Sequence, residues 1–181
     1  MQEKERKLVD YAVFGDVENV TNLLSQGVDI NTLHCSSFPL FEAVSKGNYD
    51  LVGLLLSYPS LDINRYERST GYNALHAAIF YSQYIDDSKI LKSLLLDPRI
   101  NIVLPCKAPL TLGYSPLHLS AYIGNKAALE LLIEAGANPC QLTEEGLSIY
   151  DVAGQSASCS SGNEEIITLI RHIIAESYEE I

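Results

Sequence analysis

Histidines, cysteines and carboxylates are the residues of this sequence whose chemistry could support catalysis or metal binding. His76 and His118 recur in one setting, each directly after a leucine. The cysteines form no Cys-x-x-Cys pair and have no histidine at zinc-ligand spacing; they are Cys35, Cys106, Cys140 and Cys159. The sequence has no nucleophile with a suitable base in a known motif, no glycine-rich phosphate loop with a lysine, and no carboxylate cluster outside solvated acidic stretches. It therefore predicts no enzyme, no cofactor and no metal site.

The balance of charge excludes one class of partner. The 181 residues include 12 Lys and Arg against 23 Asp and Glu, a formal net charge of -11. Binding to nucleic acid needs clustered Lys and Arg at the phosphates, so no nucleic acid partner is predicted. From Glu130 to the end, ten acidic residues stand against one basic residue, Arg171. This acidic end either steers a basic partner by long-range attraction or is a solvated face that keeps the protein dispersed.

The hydropathy pattern gives an expectation for location. The first residues, MQEKERKLVD, lack the apolar run of a signal peptide, and no stretch of about 18 apolar residues occurs anywhere. The cysteine pattern is that of reduced thiols. We expect a cytoplasmic protein that does not insert into a membrane and is not exported by the general secretory route.

A pattern of two short helices returns about every 33 residues. The first helix of each pair aligns on one residue, and the steps between these anchors are 32, 35, 42 and 33 residues. The anchors are Leu8, Leu40, Leu75, Leu117 and Tyr150. A second helix follows each time, as in VENVTNLLSQG and KAALELLIEAG, with apolar residues at i, i+3, i+4 spacing. One such pair buries too little surface to be stable, so the pairs must stack on their neighbours.

These units resemble the ankyrin family, whose repeat has the form G-x-T-P-L-H-x-A-A, a glycine, a leucine-rich helix and G-A-D-x-N. The fourth unit matches best, with Gly113, Ser115, Pro116, Leu117, His118, Ala121, Gly124, Leu131, Leu132, Gly136, Ala137 and Asn138. The resemblance implies an all-α protein, an ankyrin-repeat solenoid of about five helix-turn-helix units with short hairpin-like connecting loops. It implies a single domain over residues 1–181, with units at about 4–34, 35–68, 69–108, 109–142 and 143–178. In this family the His of the Leu-His pair is structural, hydrogen-bonding between neighbouring turns.

Insertions interrupt the pattern at three places. YSQYIDDSK in the third unit and QSASCSSGN in the fifth are expected to be surface loops, where extra residues cost little. The longest, NIVLPCKAPLTLG at 101–113, replaces a short turn. It is either an extended finger that contacts a partner or an insertion packed back on the stack.

The resemblance also implies a function, since ankyrin proteins bind other proteins through the exposed positions of the first helices and the tips of the connecting loops. At these positions the sequence is unusually aromatic, which predicts an exposed patch on the concave face, the composition of a protein-binding hot spot. The alternative is that the insertions fold over the rings and bury them. The predicted partner-binding residues are Phe14, Lys46, Arg65, Tyr66, Arg68, Tyr72, Phe80, Tyr81, Tyr114, Tyr122 and Ile123.

The favoured interpretation is therefore a monomeric protein-protein interaction module. The alternative role is a targeting subunit, or a fragment, of an enzyme complex. The irregular units and the Glu-rich end AESYEEI also resemble effectors that intracellular bacteria such as Legionella deliver into host cells. Secretion into a host cell is thus the alternative to a cytoplasmic location in the producing cell.

Overall fold

The computed structural model describes residues 2–82, 88–111, 113–155 and 162–179. Within these ranges the regular structure is helical, apart from two isolated antiparallel bridges, His34 with Ser37 and Tyr66 with Asn73. The described residues form ten helices in five consecutive pairs, which confirms the predicted all-α class. The helices are α1 (Gln2–Phe14), α2 (Val17–Ser25), α3 (Pro39–Ser45), α4 (Tyr49–Leu56), α5 (Ala74–Tyr81), α6 (Lys89–Leu96), α7 (Pro116–Ile123), α8 (Lys126–Glu134), α9 (Ile149–Gln155) and α10 (Gly162–Glu179).

The chain divides into two compact units, Met1–Ile100 and Asn101–Ile181. In the first unit, α1 packs on α3 and α3 on α5, so the first helices of successive pairs are neighbours. In the second unit, α7 contacts both its partner α8 and the next first helix, α9. Within each unit, neighbouring pairs therefore share the apolar faces that one pair alone could not bury. That the whole chain forms one domain stays a prediction.

The anchors that define the repeat lie in the core. Four of them are at most 1% exposed: Leu8, Leu40, Leu75 and Leu117. The fifth was assigned wrongly by one residue, since Ile149 is 0% exposed whereas Tyr150 is 39% exposed. Both residues are apolar enough to fit the pattern, and the packing of α9 against α7 and α10 decides which of them is buried.

The same turn and N-cap precede three of the second helices. A glycine in the left-handed conformation follows the first helix, and the next residue, Asp or Asn, caps the second helix by accepting a bond from the backbone N–H three residues on. The pairs are Gly15 with Asp16, Gly47 with Asn48 and Gly124 with Asn125, and the glycine φ angles are 69°, 71° and 76°. Glycine takes this conformation without strain, and the short polar side chain satisfies a donor of the first helical turn.

Gly15 is also in close contact with the next helix pair. A Cβ at this position would lie 1.9 Å from Asn48 Nδ2. That amide donates a hydrogen bond to the Gly15 carbonyl at 3.3 Å, while the Oδ1 of the same side chain caps α4 at the Leu51 N–H. One side chain therefore joins the turn of the first pair to the cap of the second.

The first helices begin as the sequence predicts. Pro39 and Pro116 occupy the first turn of α3 and α7, where the missing N–H is no loss. Ser115 caps α7 by accepting a bond from the His118 N–H, and Asn73 caps α5 in the same way. These caps fix the Leu-His segment at the start of each helix.

Arg99 joins the second and third pairs at the ends of their second helices. Its guanidinium donates to the carbonyls of Leu56 and Tyr58, both at 2.8 Å, at the end of α4. The Asp97 carboxylate accepts two further bonds from Arg99, at 2.9 and 2.6 Å, and holds the group in place. A planar guanidinium can satisfy several acceptors at once in this way, and a lysine cannot.

Candidate functional site

A column of three rings, with a fourth ring beside it, lies on α5 and the loop before it. Tyr72 stacks on His76, with centroids 5.8 Å apart and planes at 19°, and also contacts Phe80 at 5.8 Å. Phe80 meets Tyr81 edge to face at 5.3 Å. Tyr72, Phe80 and Tyr81 are half-buried, whereas His76 is fully buried. The column therefore packs at its base and presents ring edges to solvent.

The second unit contains the same column at α7. Tyr114 lies 6.2 Å from His118 and 5.7 Å from Tyr122, so the two columns share the spacing Tyr, His at i+4 and an aromatic residue at i+8. Tyr114 is only 7% exposed, and its hydroxyl donates to Gln155 Oε1 at 3.1 Å. The prediction that Tyr114 is exposed is therefore wrong. Tyr122 and Ile123 remain half-buried at the surface.

The electrostatic setting of Tyr114 agrees with this burial. Removal from water raises the pKa of the phenol, and the nearby Tyr122 and Glu145 raise it further. The hydroxyl is thus a neutral donor at physiological pH. It acts as a fixed link between the connecting loop and α9.

Both histidines have structural roles. His76 Nδ1 lies 2.7 Å from Asn73 Oδ1, and His118 Nδ1 lies 2.7 Å from Ser115 Oγ. Burial lowers the pKa of His118, while the backbone of Leu147 and Gln141 in the following turn acts in the opposite direction and favours the charged form. The ring is therefore mainly neutral at pH 7. Its Nδ1 supports the Ser115 cap of α7, whereas its buried Nε2 has no hydrogen-bond partner among the described residues. The bond between neighbouring turns that the resemblance implied therefore stays a prediction.

The tip between the second and third pairs carries three of the predicted residues. The Arg65 guanidinium donates to the Asn31 carbonyl and lies 6.0 Å from the centre of the Phe38 ring. It is therefore largely used within the protein. Tyr66 is half-buried, and Arg68 is exposed, with its backbone N–H bonded to the Ser36 carbonyl at 3.1 Å.

Glu67 organises this tip from inside the protein and is not available as a charged contact. Its side chain is 2% exposed, and its carboxylate accepts four hydrogen bonds of 2.6 to 2.8 Å, from the backbone N–H and the hydroxyl of both Ser69 and Thr70. Burial alone would raise the pKa of Glu67, but these bonds outweigh it and hold the pKa below its ordinary value. The tip is thus a fixed loop built around one buried charge.

Two predicted residues lie at the ends of first helices in the first unit. Phe14, the last residue of α1, is 83% exposed, and Lys46, directly after α3, is exposed. Neither of these side chains has a role in the core. Both are available for contact with another molecule.

The insertion at 101–113 combines the two predicted alternatives. Its base is a hairpin, in which the Cys106 N–H donates to the Tyr114 carbonyl at 2.8 Å and the Gly113 N–H to the Cys106 carbonyl at 3.1 Å. Cys106 and Thr111 are 1% and 3% exposed, so this base packs on the protein. The tip projects outward, and Leu110 is 86% exposed.

A thiol-imidazole pair lies at the tip before α3, and the sequence analysis missed it. Cys35 Sγ is 3.2 Å from His34 Nε2, and Cys35 and Ser36 both have positive φ, 48° and 72°. Such a pair can supply a nucleophile when a third group orients the base. The described residues supply no such group here, and the turn is exposed, so we assign it no catalytic role. Cys159 lies outside the described residues.

Sites for small ligands are poorly developed. A depression of about 650 Å³ between α8 and α10 is lined largely by charged or polar side chains, among them Lys126, Glu164, Glu165 and His172, and is open to solvent. Small-molecule sites are instead enclosed and mostly apolar. In the described ranges no three His, Cys, Asp or Glu side chains are placed to bind one metal ion. Nor does any helix there have the length and apolar composition needed to span a bilayer.

Capped helix pairs stacked through their first helices define this chain as a helical repeat protein. Comparison with known families makes this specific. A model of three ankyrin repeats matches residues 8–104, more than half of the chain, and a single-repeat model matches residues 112–144. The chain therefore belongs to the ankyrin-repeat family. The fifth helix pair, α9 and α10, lies beyond both matches.

A curated protein of Neisseria meningitidis serogroup B, named as an ankyrin repeat protein, is also similar to this chain. The two are 36% identical over 58 residues, which is 32% of this chain and 21% of the relative. The similar segment thus spans about a fifth of the relative's length. The likeness supports the family and carries no information about a partner.

Proposed function

We propose that this protein binds another protein through the half-exposed rings that flank its first helices. The observation that carries the proposal is the pair of ring columns, one in each unit. In each column an outer ring, Phe80 or Tyr122, packs on a tyrosine that itself lies against a buried histidine, so little side-chain entropy remains to be lost on binding. Ankyrin repeats are in general protein-interaction modules, which supports the same conclusion.

The outer residues of the columns supply the contact area. In the first unit these are Phe80 and Tyr81, and in the second Tyr122 and Ile123. Large rings that are held in place and remain accessible are typical of binding hot spots. Tyr114 and Arg65 are left out of the proposed contact surface because their polar groups are bonded within the protein.

Affinity capture from a eukaryotic lysate with quantitative mass spectrometry tests the proposal. We expect the Phe80→Ala, Tyr81→Ala variant, and separately Tyr122→Ala, to lose a partner that the parent protein retains, since a hot-spot residue contributes about 2 kcal/mol or more. Leu96→Ala is the matched control, because Leu96 is 83% exposed but lies at the end of a second helix. Thermal unfolding of each variant checks that the fold is intact.

Loss of the partner in Leu96→Ala, with retention in the ring variants, would place the contact on another surface. A parent protein that enriches no protein over a tag-only control would contradict the function itself. Co-capture of a catalytic subunit would instead favour the role of a targeting subunit in an enzyme complex.

We also propose that the protein acts as a monomer in the cytoplasm. The location is inferred from the cysteines, which form no Cys-x-x-Cys pair and have the pattern of reduced thiols. Light scattering of the purified chain tests the monomer, and imaging of a tagged protein in the producing cell tests the location. Recovery of the tagged protein from a host cell would support secretion instead.

A further inference from the structure

A large apolar side chain is presented on a fixed loop in the second unit. Leu110 is 86% exposed, and the hairpin below it is closed by the Thr111 N–H bond to the Ala108 carbonyl at 3.1 Å and the Tyr114 N–H bond to the Thr111 carbonyl at 3.0 Å. Cys106 Sγ also contacts the Thr111 backbone from inside the loop. The leucine is therefore held outward by a buried base, and its exposure is not the result of a loose end.

The next connecting loop presents a second leucine. Leu142 is 56% exposed and precedes a turn closed by the Thr143 N–H bond to the Leu147 carbonyl at 2.9 Å. The two loops are neighbours, because they lead directly into α7 and α9 and these two helices pack on each other. Exposed leucines on adjacent fixed loops form a surface that water solvates poorly.

The charges around these leucines are mainly acidic. Glu144 and Glu145 are exposed directly after Leu142, and Lys107 is the cation on the neighbouring loop. Over residues 101–181 the sequence has ten acidic residues against three basic ones, a net charge of -7. An anionic lipid surface and a second copy of the same acidic face are both disfavoured by this charge. A basic occupant is favoured.

We propose that Leu110, Leu142, Glu144 and Glu145, here called the acidic tip surface, bind a protein segment in which apolar residues alternate with Lys or Arg. The leucines supply the apolar contact, and the two carboxylates select the charge. The inference rests on the proposed function, since it assigns a partner class to the loop tips of a protein-binding module. It differs in residues, because the rings of α5 and α7 are not part of the surface.

Selection from a phage library of short random peptides on the immobilised full chain tests the inference. We expect enriched peptides to contain Lys or Arg beside Leu, Ile or Phe. The affinity of one synthetic enriched peptide is then measured by fluorescence polarisation. We expect the Leu110→Ser, Leu142→Ser variant to bind about tenfold or more weakly, and Leu96→Ser, which changes an exposed leucine elsewhere, to bind as the parent does.

Salt dependence separates the role of charge from that of apolar contact. Affinity for the parent should fall between about 50 mM and about 500 mM salt, because exposed charge pairs are screened. The Glu144→Gln, Glu145→Gln variant should bind more weakly at low salt and lose most of this dependence. If the peptide binds this variant and the parent with the same affinity at low salt, the two carboxylates do not select a basic partner.

The remaining outcomes each decide the inference. Enriched peptides that are acidic or uncharged overturn it, as does equal binding by the leucine variant or failure to enrich any peptide. Peptides that lose affinity only with Phe80→Ala, Tyr81→Ala overturn it while leaving the proposed function intact. Peptides lost with the leucine variant and unaffected by the ring variant support it.

Discussion

Replacing Glu67 by glutamine tests whether one buried carboxylate holds the tip between the second and third helix pairs. In the parent protein both carboxylate oxygens accept a backbone N–H and a hydroxyl, from Ser69 and Thr70 respectively. Glutamine has nearly the same shape but turns one of these acceptors into an NH₂ donor. The hydroxyl facing that NH₂ can rotate and accept from it, whereas the backbone N–H cannot.

The expected loss follows from these bonds. One buried N–H is left without an acceptor, which costs about 1–3 kcal/mol. The bonds to the remaining oxygen become neutral, and a charge-assisted bond is roughly twice as strong as a neutral one. Removing a charge that is 2% exposed recovers part of this loss. We therefore expect Glu67→Gln to lower the free energy of unfolding by about 2–3 kcal/mol at pH 7.

The pH dependence has a defined sign. Because the folded pKa of Glu67 is lowered from 4.5, its contribution is present above pH 4.5 and is lost as the pH falls through the folded value. The glutamine variant has no such titration. The difference in unfolding free energy between parent and variant should therefore be largest near neutral pH and shrink under acid, when measured by urea unfolding followed by circular dichroism.

Glu130→Gln is the control, because Glu130 is exposed on α8 and a surface change should stay within about 0.5 kcal/mol. If Glu67→Gln behaves like this control at pH 7, the buried carboxylate does not hold the tip. A difference that grows as the pH falls would refute the assigned direction of the pKa shift.

Two further predictions concern links between helix pairs, and both are measured by urea unfolding. Gly15→Ala should lower the free energy of unfolding by about 2–3 kcal/mol, and Gly27→Ala by about 1–2 kcal/mol. Both glycines have positive φ, but a Cβ at Gly15 would lie 1.9 Å from Asn48, whereas a Cβ at Gly27 meets nothing within 4 Å. Equal losses would contradict the assigned contact. Arg99→Lys should lower the free energy of unfolding by about 1–3 kcal/mol, because an ammonium cannot replace the bonds to the end of α4 and to the neighbouring carboxylate. The control is Arg6→Lys, an exposed change that should have almost no effect. Equal effects would show that the bonds of the Arg99 guanidinium are not needed.

Much of the fold could be predicted because its determinants are local. The spacing of Leu8, Leu40, Leu75 and Leu117, the prolines that open α3 and α7, and the Ser115 cap are all properties of short segments. The one misplaced anchor, Tyr150, stands next to the buried Ile149, where the local pattern allows either residue. Packing against a neighbouring helix decides such cases, and a single sequence does not contain that information.

The site was predicted less completely because burial depends on distant residues. Tyr114 was recognised as an aromatic residue at a binding position, but its hydroxyl is bonded to Gln155, 41 positions along the chain. Arg65 was expected to be free for a partner and is bonded to Asn31 instead. The buried roles of Glu67 and Arg99 were not predicted, since a charge in a loop does not reveal the backbone groups that surround it. The direction of a side chain, unlike its identity, is a property of the folded chain.

The side-chain links between helix pairs have a consequence for the order in which the protein opens. Asn48 reaches back 33 positions and Arg99 reaches 43, each of them only to the preceding pair. A chain coupled in this way unfolds stepwise from its ends, because opening a terminal pair breaks its contacts with one neighbour alone. The rate of amide hydrogen exchange should therefore fall stepwise from α1 toward α3 and α4. A destabilising change in one loop should raise exchange mainly in the adjacent pair.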